Sequence, residues 1–166
     1  MLTAYDAPGG RMVSEAGADI ILVGDTLAMV VLGYEDTMQV TIEDMVHHTA
    51  AVARAEPDAF IVADLPWMSY HVSKEETVIN AAKLIRAGAD AVKLEGGRRR
   101  LPMIEALVDA EIPVMGHLGL TPQSVNVMGG FKVQAKSTKA ALDLVVLFPE
   151  QGSTLFQQFV KDFEHF

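Results

Sequence analysis

A chain of 166 residues that is 50% hydrophobic suits one domain with a sizeable core. Its formal net charge of −9 argues against a nucleic-acid or anionic-membrane surface, and the absence of cysteine excludes disulfides and thiolate metal sites. No apolar run approaches the ~20 residues of a membrane span and the first residues do not read as a signal peptide, so the expectation is a cytoplasmic protein without a membrane or nucleic-acid partner.

The chain is punctuated regularly. Leu2 to Tyr5 is a short strand ending at Asp6, and a helix follows from about Arg11 to Ala16, stopped by Gly17. Ala18 to Val23 is a strand ending at Asp25. Thr41 can cap a helix through about Arg54, with Glu43 and Asp44 in the first turn where carboxylates suit the dipole. "AFIVA", Ala59 to Ala63, is a strand ending at Asp64. Ser73 and Glu76 have capping-box spacing at the start of a helix, and Gly88 is its C-terminal stop. Ala89 to Leu94 is a strand ending at Glu95, Leu101 to Ala110 a helix with Pro102 in its first turn, and Ile112 to Met115 a strand ending at Gly116 and His117.

This βαβα repetition with continuous apolar strands implies an α/β fold, a parallel sheet covered by helices on both faces. "EAGADIILVGD" (Glu15 to Asp25) is echoed by "RAGADAVKLEG" (Arg86 to Gly96), a spacing of two βα units that a (β/α) barrel also gives. Asp6, Asp25, Asp64, Glu95 and His117 each follow a strand. In parallel α/β folds those ends gather at one face, where sites form. Any single one of these acids could equally cap the next helix.

Carboxylates without Cys suit a hard cation such as Mg²⁺. Such an ion with open positions can chelate a 2-oxo acid and stabilise its enolate. Lys93 lies two residues before Glu95, so the two share a strand face. It could neutralise a substrate carboxylate or pair with a neighbouring acid. His47 and His48 are adjacent on a helix and so do not share a face, which argues against a two-histidine metal site. "EGGRRR" (Glu95 to Arg100) lacks the P-loop pattern and reads as a solvated face or subunit contact. Trp67 and Met68, after "DLP", are candidates for packing or for a pocket wall.

"MLTAYDAP", "ADIILVGDTLAMVVLGYEDT", "VTIEDMVHHTAAVARA", "VADLPWMSY", "AGADAVKLEGG" and above all "PVMGHLGLTPQSVNVMGGFKVQ" resemble ketopantoate hydroxymethyltransferase almost without gaps from Met1 to about Gln134. The resemblance implies a (β/α)8 TIM barrel. It also implies transfer of a one-carbon unit from 5,10-methylenetetrahydrofolate to 3-methyl-2-oxobutanoate, giving 2-dehydropantoate in pantothenate biosynthesis. Carried over, Asp25 and Asp64 hold Mg²⁺ with Glu95 beside them. Asp25, Thr26, Asp64 and Lys93 contact the oxo acid, and Lys93 and His117 are the catalytic candidates. A homo-oligomer is implied too, with a decamer as the candidate assembly.

Three departures stand out. The family's usual Ser is Thr26 here, its Gly is Ala28, and the family pattern stops after about five βα units, where a barrel takes roughly 200 to 250 residues. Residues 1–145 therefore read as a partial barrel domain carrying the metal and substrate site, in a truncated or internally deleted member. Residues 146–166 are divergent and Phe-rich: five of the seven phenylalanines lie between Phe148 and Phe166, and Phe156, Phe159, Phe163 and Phe166 form one stripe of an amphipathic helix. The family's base falls in the unmatched half, so a poor catalyst or none is expected, with Glu150 or His117 the substitutes to consider. The other readings are a Mg²⁺-dependent 2-oxo-acid lyase or mutase of the phosphoenolpyruvate mutase–isocitrate lyase type, and a non-catalytic remnant that binds ligand or co-assembles.

Overall fold

The computed structural model describes residues 1–119 and 121–124. The Phe-rich helix and Glu150 lie outside the described residues. Five strands form one parallel sheet in sequential order. They are β1 (Leu2–Thr3), β2 (Ile20–Val23), β3 (Phe60–Asp64), β4 (Ala91–Glu95) and β5 (Val114–His117). Five helices connect or precede them: α1 (Ala7–Glu15), α2 (Leu27–Val30), α3 (Ile42–Ala53), α4 (Lys74–Arg86) and α5 (Leu101–Asp109). None of the described helices is long and apolar enough to cross a membrane.

The helix starts follow their caps. Thr41 and Asp44 close a reciprocal capping box on α3, with Asp44 N donating to Thr41 Oγ1 at 3.2 Å and Thr41 N to Asp44 Oδ2 at 2.9 Å. Ser73 Oγ accepts from Glu76 N at 3.1 Å, and α4 carries Glu75 and Glu76 in its first turn and Lys83 and Arg86 in its last. Asp6 is the N-cap of α1, accepting from Gly9 N at 2.7 Å. The helix therefore begins at Ala7, ahead of the expected Arg11, because Pro8 is harmless in a first turn. Capping settles the role of Asp6 and removes it from the strand-end cluster.

Sequential strand order, with the right-handed crossover that parallel strands take, lays the connecting helices α1, α3, α4 and α5 on one side of the sheet. Accordingly α1 packs on α3, α3 on α4 and α4 on α5. The expectation of helices on both faces is thus corrected to the single winding of a (β/α) barrel. Alternation divides each strand between two surfaces. Ile21, Val23, Ile61, Ala63, Val92 and Leu94 join Met45, Val52, Leu84 and Leu107 in the core beneath the helices. The intervening residues face away from that core, and they include Asp64, Lys93, Glu95 and His117. Register brings these four together: Asp64 is opposite Lys93 across β3–β4, and Glu95 opposite His117 across β4–β5.

Gly88 makes the turn from α4 into β4 at φ +108°, and a Cβ there would stand 2.4 Å from the Ala53 Cβ of α3. Gly17 ends α1 similarly at φ +80° but with open space around it. Gly88→Ala should therefore cost more than the ~1–3 kcal/mol of left-handed strain that bounds Gly17→Ala. Urea unfolding midpoints of the two variants check the ordering; equal losses would show that α3 and α4 yield freely.

Candidate active site

The site is assembled at the C-terminal ends of β2, β3, β4 and β5. Asp25 follows β2 through Gly24, both buried. A Cβ on Gly24 would lie 3.1 Å from Thr26 Oγ1 and 3.5 Å from Asp64 Oδ2, so glycine leaves the room in which Asp64 approaches this turn. Asp25 N then donates to Asp64 Oδ2 at 3.1 Å. The other Asp64 oxygen accepts from Lys93 Nζ in a buried ion pair. Of the two readings of Lys93, pairing with a neighbouring acid is the one the structure displays.

Glu95 is turned toward the far side of the cluster. Its Oε1 lies 3.0 Å from His117 Nδ1, and its Oε2 accepts from Gln123 N at 3.0 Å. Gln123, from the short turn Pro122–Ser124, ties the cluster together. Its Nε2 donates to Asp25 Oδ2 at 2.8 Å and to Leu65 O at 3.0 Å, while its Oε1 accepts from Tyr70 OH at 2.6 Å. Glu95 N donates to the same phenol oxygen at 3.1 Å. Thr26 sits at the rim, its Oγ1 3.0 Å from Tyr5 OH, and the Tyr5 carbonyl is held at 2.6 Å by His48 Nδ1. His48 is thus a structural tether, as its place beside His47 on one helix implied.

Asp25, Thr26, Asp64, Lys93, Glu95 and His117 therefore converge. Sequence reasoning missed Gln123, Tyr70 and Tyr5. Gln123 and Tyr70 sit inside the quoted "LTPQ" and "DLPWMSY" stretches, but no local periodicity ties Gln123 to a carboxylate 98 residues away. Trp67 and Met68 are both substantially exposed, which excludes the core-packing reading. Trp67 instead lines a cavity beside Glu95.

The electrostatics are unbalanced. Three buried carboxylates face one buried ammonium. Burial pushes the Asp25 carboxyl up to about 7, the nearby Asp64 charge adds to the rise, and the Gln123 hydrogen bond and Lys93 only partly oppose it. Burial alone would lower the Lys93 pKa, but Asp64, its hydrogen bond, Glu95 and Asp25 carry it above the ordinary lysine value. With all four ionised, two negative charges remain, which is what one dication balances. Among the described residues no group of three or more His, Asp or Glu is arranged to hold a metal by itself, so Asp25, Asp64 and Glu95 do not stand as a preformed cage. Mg²⁺ asks for less: one or two carboxylates, with waters or substrate filling the octahedron. The oxygen-only donor set and its excess charge fit that ion.

The raised Asp25 value has a stability consequence. Below about pH 4 the group is protonated in both folded and unfolded chains. Between about 4 and 7 the folded form holds its proton more tightly, so stability falls as pH rises through that window and levels off above it. Asp25→Asn should remove this component, up to about 4 kcal/mol for a shift of that size. Urea unfolding of both proteins from pH 4 to 8, without added metal, checks the difference in slope. Parallel curves would mean that Asp25 titrates normally.

The family profile of ketopantoate hydroxymethyltransferase matches residues 1–148. The chain is 59% identical over 145 residues to the 3-methyl-2-oxobutanoate hydroxymethyltransferase of Ignicoccus hospitalis, covering 87% of this chain and 55% of that relative. It is 61% identical over 141 residues to the enzyme of that name from Thermoanaerobacter sp. (strain X514), covering 84% and 52%. For the one from Bacillus subtilis (strain 168) the identity is 56% over 146 residues, covering 87% and 53%. The chain thus spans about half the length of the curated relatives it matches. Among solved structures, a phosphonopyruvate hydrolase complex with oxalate and Mg²⁺ aligns with a TM-score of 0.63 at 12% identity, over 90% of this chain and 63% of that one. The 2,3-dimethylmalate lyase of the PEP mutase/isocitrate lyase superfamily aligns at 0.54 and 19%, over 69% and 45%. These two likenesses establish the barrel-type fold, and the sequence matches establish more: this chain belongs to the ketopantoate hydroxymethyltransferase family.

Proposed function

We propose that the chain carries the oxo-acid half of a hydroxymethyl transfer from 5,10-methylenetetrahydrofolate to 3-methyl-2-oxobutanoate, giving 2-dehydropantoate. The observation that carries this reading is the buried Asp25–Asp64–Lys93–Glu95 cluster in a chain of this family. Asp25 and Asp64 are assigned to Mg²⁺, with Glu95 reaching it through water. The ion, when bound, supplies polarisation of the keto oxygen. Lys93 has three donors, of which Asp64 takes one, and the others are assigned to the substrate carboxylate. Thr26, anchored by Tyr5, bounds the same end of the substrate. The His117–Glu95 pair is assigned to proton handling: Nδ1 is engaged by Glu95, so Nε2 is the atom that exchanges a proton with C3. The walls of apolar side chains below, Val62 and Ala91, keep water from the base of the cluster.

Deuterium uptake at C3 of 3-methyl-2-oxobutanoate, followed by NMR in deuterated buffer with Mg²⁺, tests enolisation without the one-carbon donor. Exchange above the buffer rate is expected, and His117→Gln should slow it by about 10²–10⁴-fold. Absence of exchange in the wild-type chain would sink the reading, and exchange unchanged by His117→Gln would move the base elsewhere. Lys93→Ala should weaken oxo-acid binding by ~1.5–3 kcal/mol, the scale of a charge-assisted hydrogen bond, with circular dichroism confirming the fold. Thr26→Ser should bind at least as tightly, because the added methyl crowds the ligand; weaker binding would contradict that.

A further inference from the structure

Gln123 reaches both ends of the carboxylate cluster without carrying a charge of its own. It is 5% exposed and comes from the short turn Pro122–Ser124, after β5. Chemistry fixes which way its amide faces. Nε2 lies 3.0 Å from Leu65 O and 2.8 Å from Asp25 Oδ2, and a carbonyl oxygen can only accept, so this side of the amide is the NH₂. Oε1 then faces Tyr70 OH at 2.6 Å, and that buried phenol already receives Glu95 N at 3.1 Å. The donors therefore run in one direction, from Glu95 N through Tyr70 OH and the Gln123 amide to Asp25 Oδ2.

The consequence falls on the carboxylate oxygens. Asp64 Oδ1 accepts from Lys93 Nζ and Asp64 Oδ2 from Asp25 N. Glu95 Oε1 faces His117 Nδ1, and Glu95 Oε2 accepts from Gln123 N. Asp25 Oδ2 accepts from Gln123 Nε2, which leaves Asp25 Oδ1 as the oxygen of the three carboxylates with no hydrogen-bond partner among the described residues. An oxygen already in a charge-assisted hydrogen bond must weaken that bond to approach a cation, whereas Asp25 Oδ1 has none to lose. With its backbone N tied to Asp64, the remaining freedom of Asp25 is rotation of its side chain, and the Gln123 amide restrains that rotation.

We propose that Gln123 is a positioning residue for the cation end of the site: its side-chain amide takes Asp25 Oδ2 and so presents Asp25 Oδ1 to a divalent cation, while its backbone N–H separately holds Glu95 beside His117. Gln123 touches neither the cation nor the substrate. This rests on the reading that Asp25 belongs to a Mg²⁺ site. The two tasks are separable, because a side-chain substitution at this position removes the first and keeps the second. Methionine matches glutamine in length and has no amide, whereas asparagine keeps the amide on a stem one carbon, about 1.5 Å, shorter, out of reach of Asp25 Oδ2.

Mn²⁺ takes the same oxygen ligands as Mg²⁺ and reports its own binding by electron paramagnetic resonance. It is titrated into the full wild-type chain, Gln123→Met, Gln123→Asn and Gly88→Ala, each checked for folding by circular dichroism. Gly88→Ala controls for lost stability, since Gly88 lies at the turn into β4, at the opposite end of that strand from Glu95. Mn²⁺ affinity should fall about tenfold or more in both Gln123 variants, the scale of a charge-assisted hydrogen bond, and stay at the wild-type level in Gly88→Ala. In deuterium exchange at C3 with the oxo acid saturating, the Mg²⁺ concentration for half the maximal rate should rise by a similar factor. The rate at saturating Mg²⁺ should change far less, because the backbone N–H on Glu95 is kept. Wild-type Mn²⁺ affinity in either folded Gln123 variant, an equal loss in Gly88→Ala, or a lower saturating rate with an unchanged Mg²⁺ requirement would overturn the proposal. No Mn²⁺ binding by the wild-type chain would refute the metal reading and the positioning role with it, whereas wild-type binding indifferent to Gln123 would refute the positioning role alone.

Discussion

The buried ion pair between Asp64 and Lys93 is the interaction on which the rest of the site depends. Asp64 is 4% exposed and Lys93 9%, so each charge is held out of water and needs the other. Desolvating such ions costs several kcal/mol each, and removing one partner of a buried pair typically costs about 3–5 kcal/mol. Cross-strand register makes the pair possible, because Asp64 and Lys93 are direct partners on β3 and β4. With one Asp64 oxygen committed to Lys93, the other receives the Asp25 amide and fixes the turn after β2. Asp25 then enters an environment already negative and dry, which is why its carboxyl holds its proton to near neutrality.

Gln123 performs the complementary task from the other end of the chain. Its side-chain amide bridges Asp25, Leu65 and Tyr70, and its backbone amide holds Glu95. Three buried acceptors and one buried hydroxyl are thereby satisfied by a single residue. An unsatisfied buried polar group costs about 1–3 kcal/mol, so this residue joins the segment after β5 to the ends of β2, β3 and β4. The same arrangement holds Glu95 against His117, where it also lines the cavity walled by Arg98, Arg99 and Arg100. Glu95 and Gln123 thus belong both to the carboxylate cluster and to the lining of that cavity.

Much of this was legible in the sequence for identifiable reasons. The caps at Thr41 and Ser73 are local hydrogen bonds between residues three apart, so the spacing alone locates α3 and α4. The strands were legible as short, mostly apolar runs, although only β3 and β4 are buried along nearly their whole length. Their last residues, Asp64 and Glu95, stood out as charges ending such runs. The failures are equally physical. Asp6 looks like Asp64 in sequence, each with a Pro two residues later, yet Asp6 accepts from Gly9 N and caps α1 while Asp64 is engaged by Lys93 and the Asp25 amide, contacts that only the folded sheet supplies. The side on which the helices pack depends on strand order and crossover hand, which the placing of helices between strands does not specify. Gln123 and Tyr70 act through contacts 53 and 98 residues distant, beyond any local pattern. The cavity role of "EGGRRR" needed the position of Trp67 and His71 across from it.

The central claim is that the strand-end carboxylates and Lys93 form one site that takes a dication and an oxo acid together. Isothermal titration of 3-methyl-2-oxobutanoate into the full chain, with and without Mg²⁺, tests it most directly. The account predicts binding that requires Mg²⁺ and disappears in Asp64→Asn while the far-ultraviolet circular dichroism remains that of the folded chain. Binding of equal strength without Mg²⁺, or binding that survives Asp64→Asn, would contradict it.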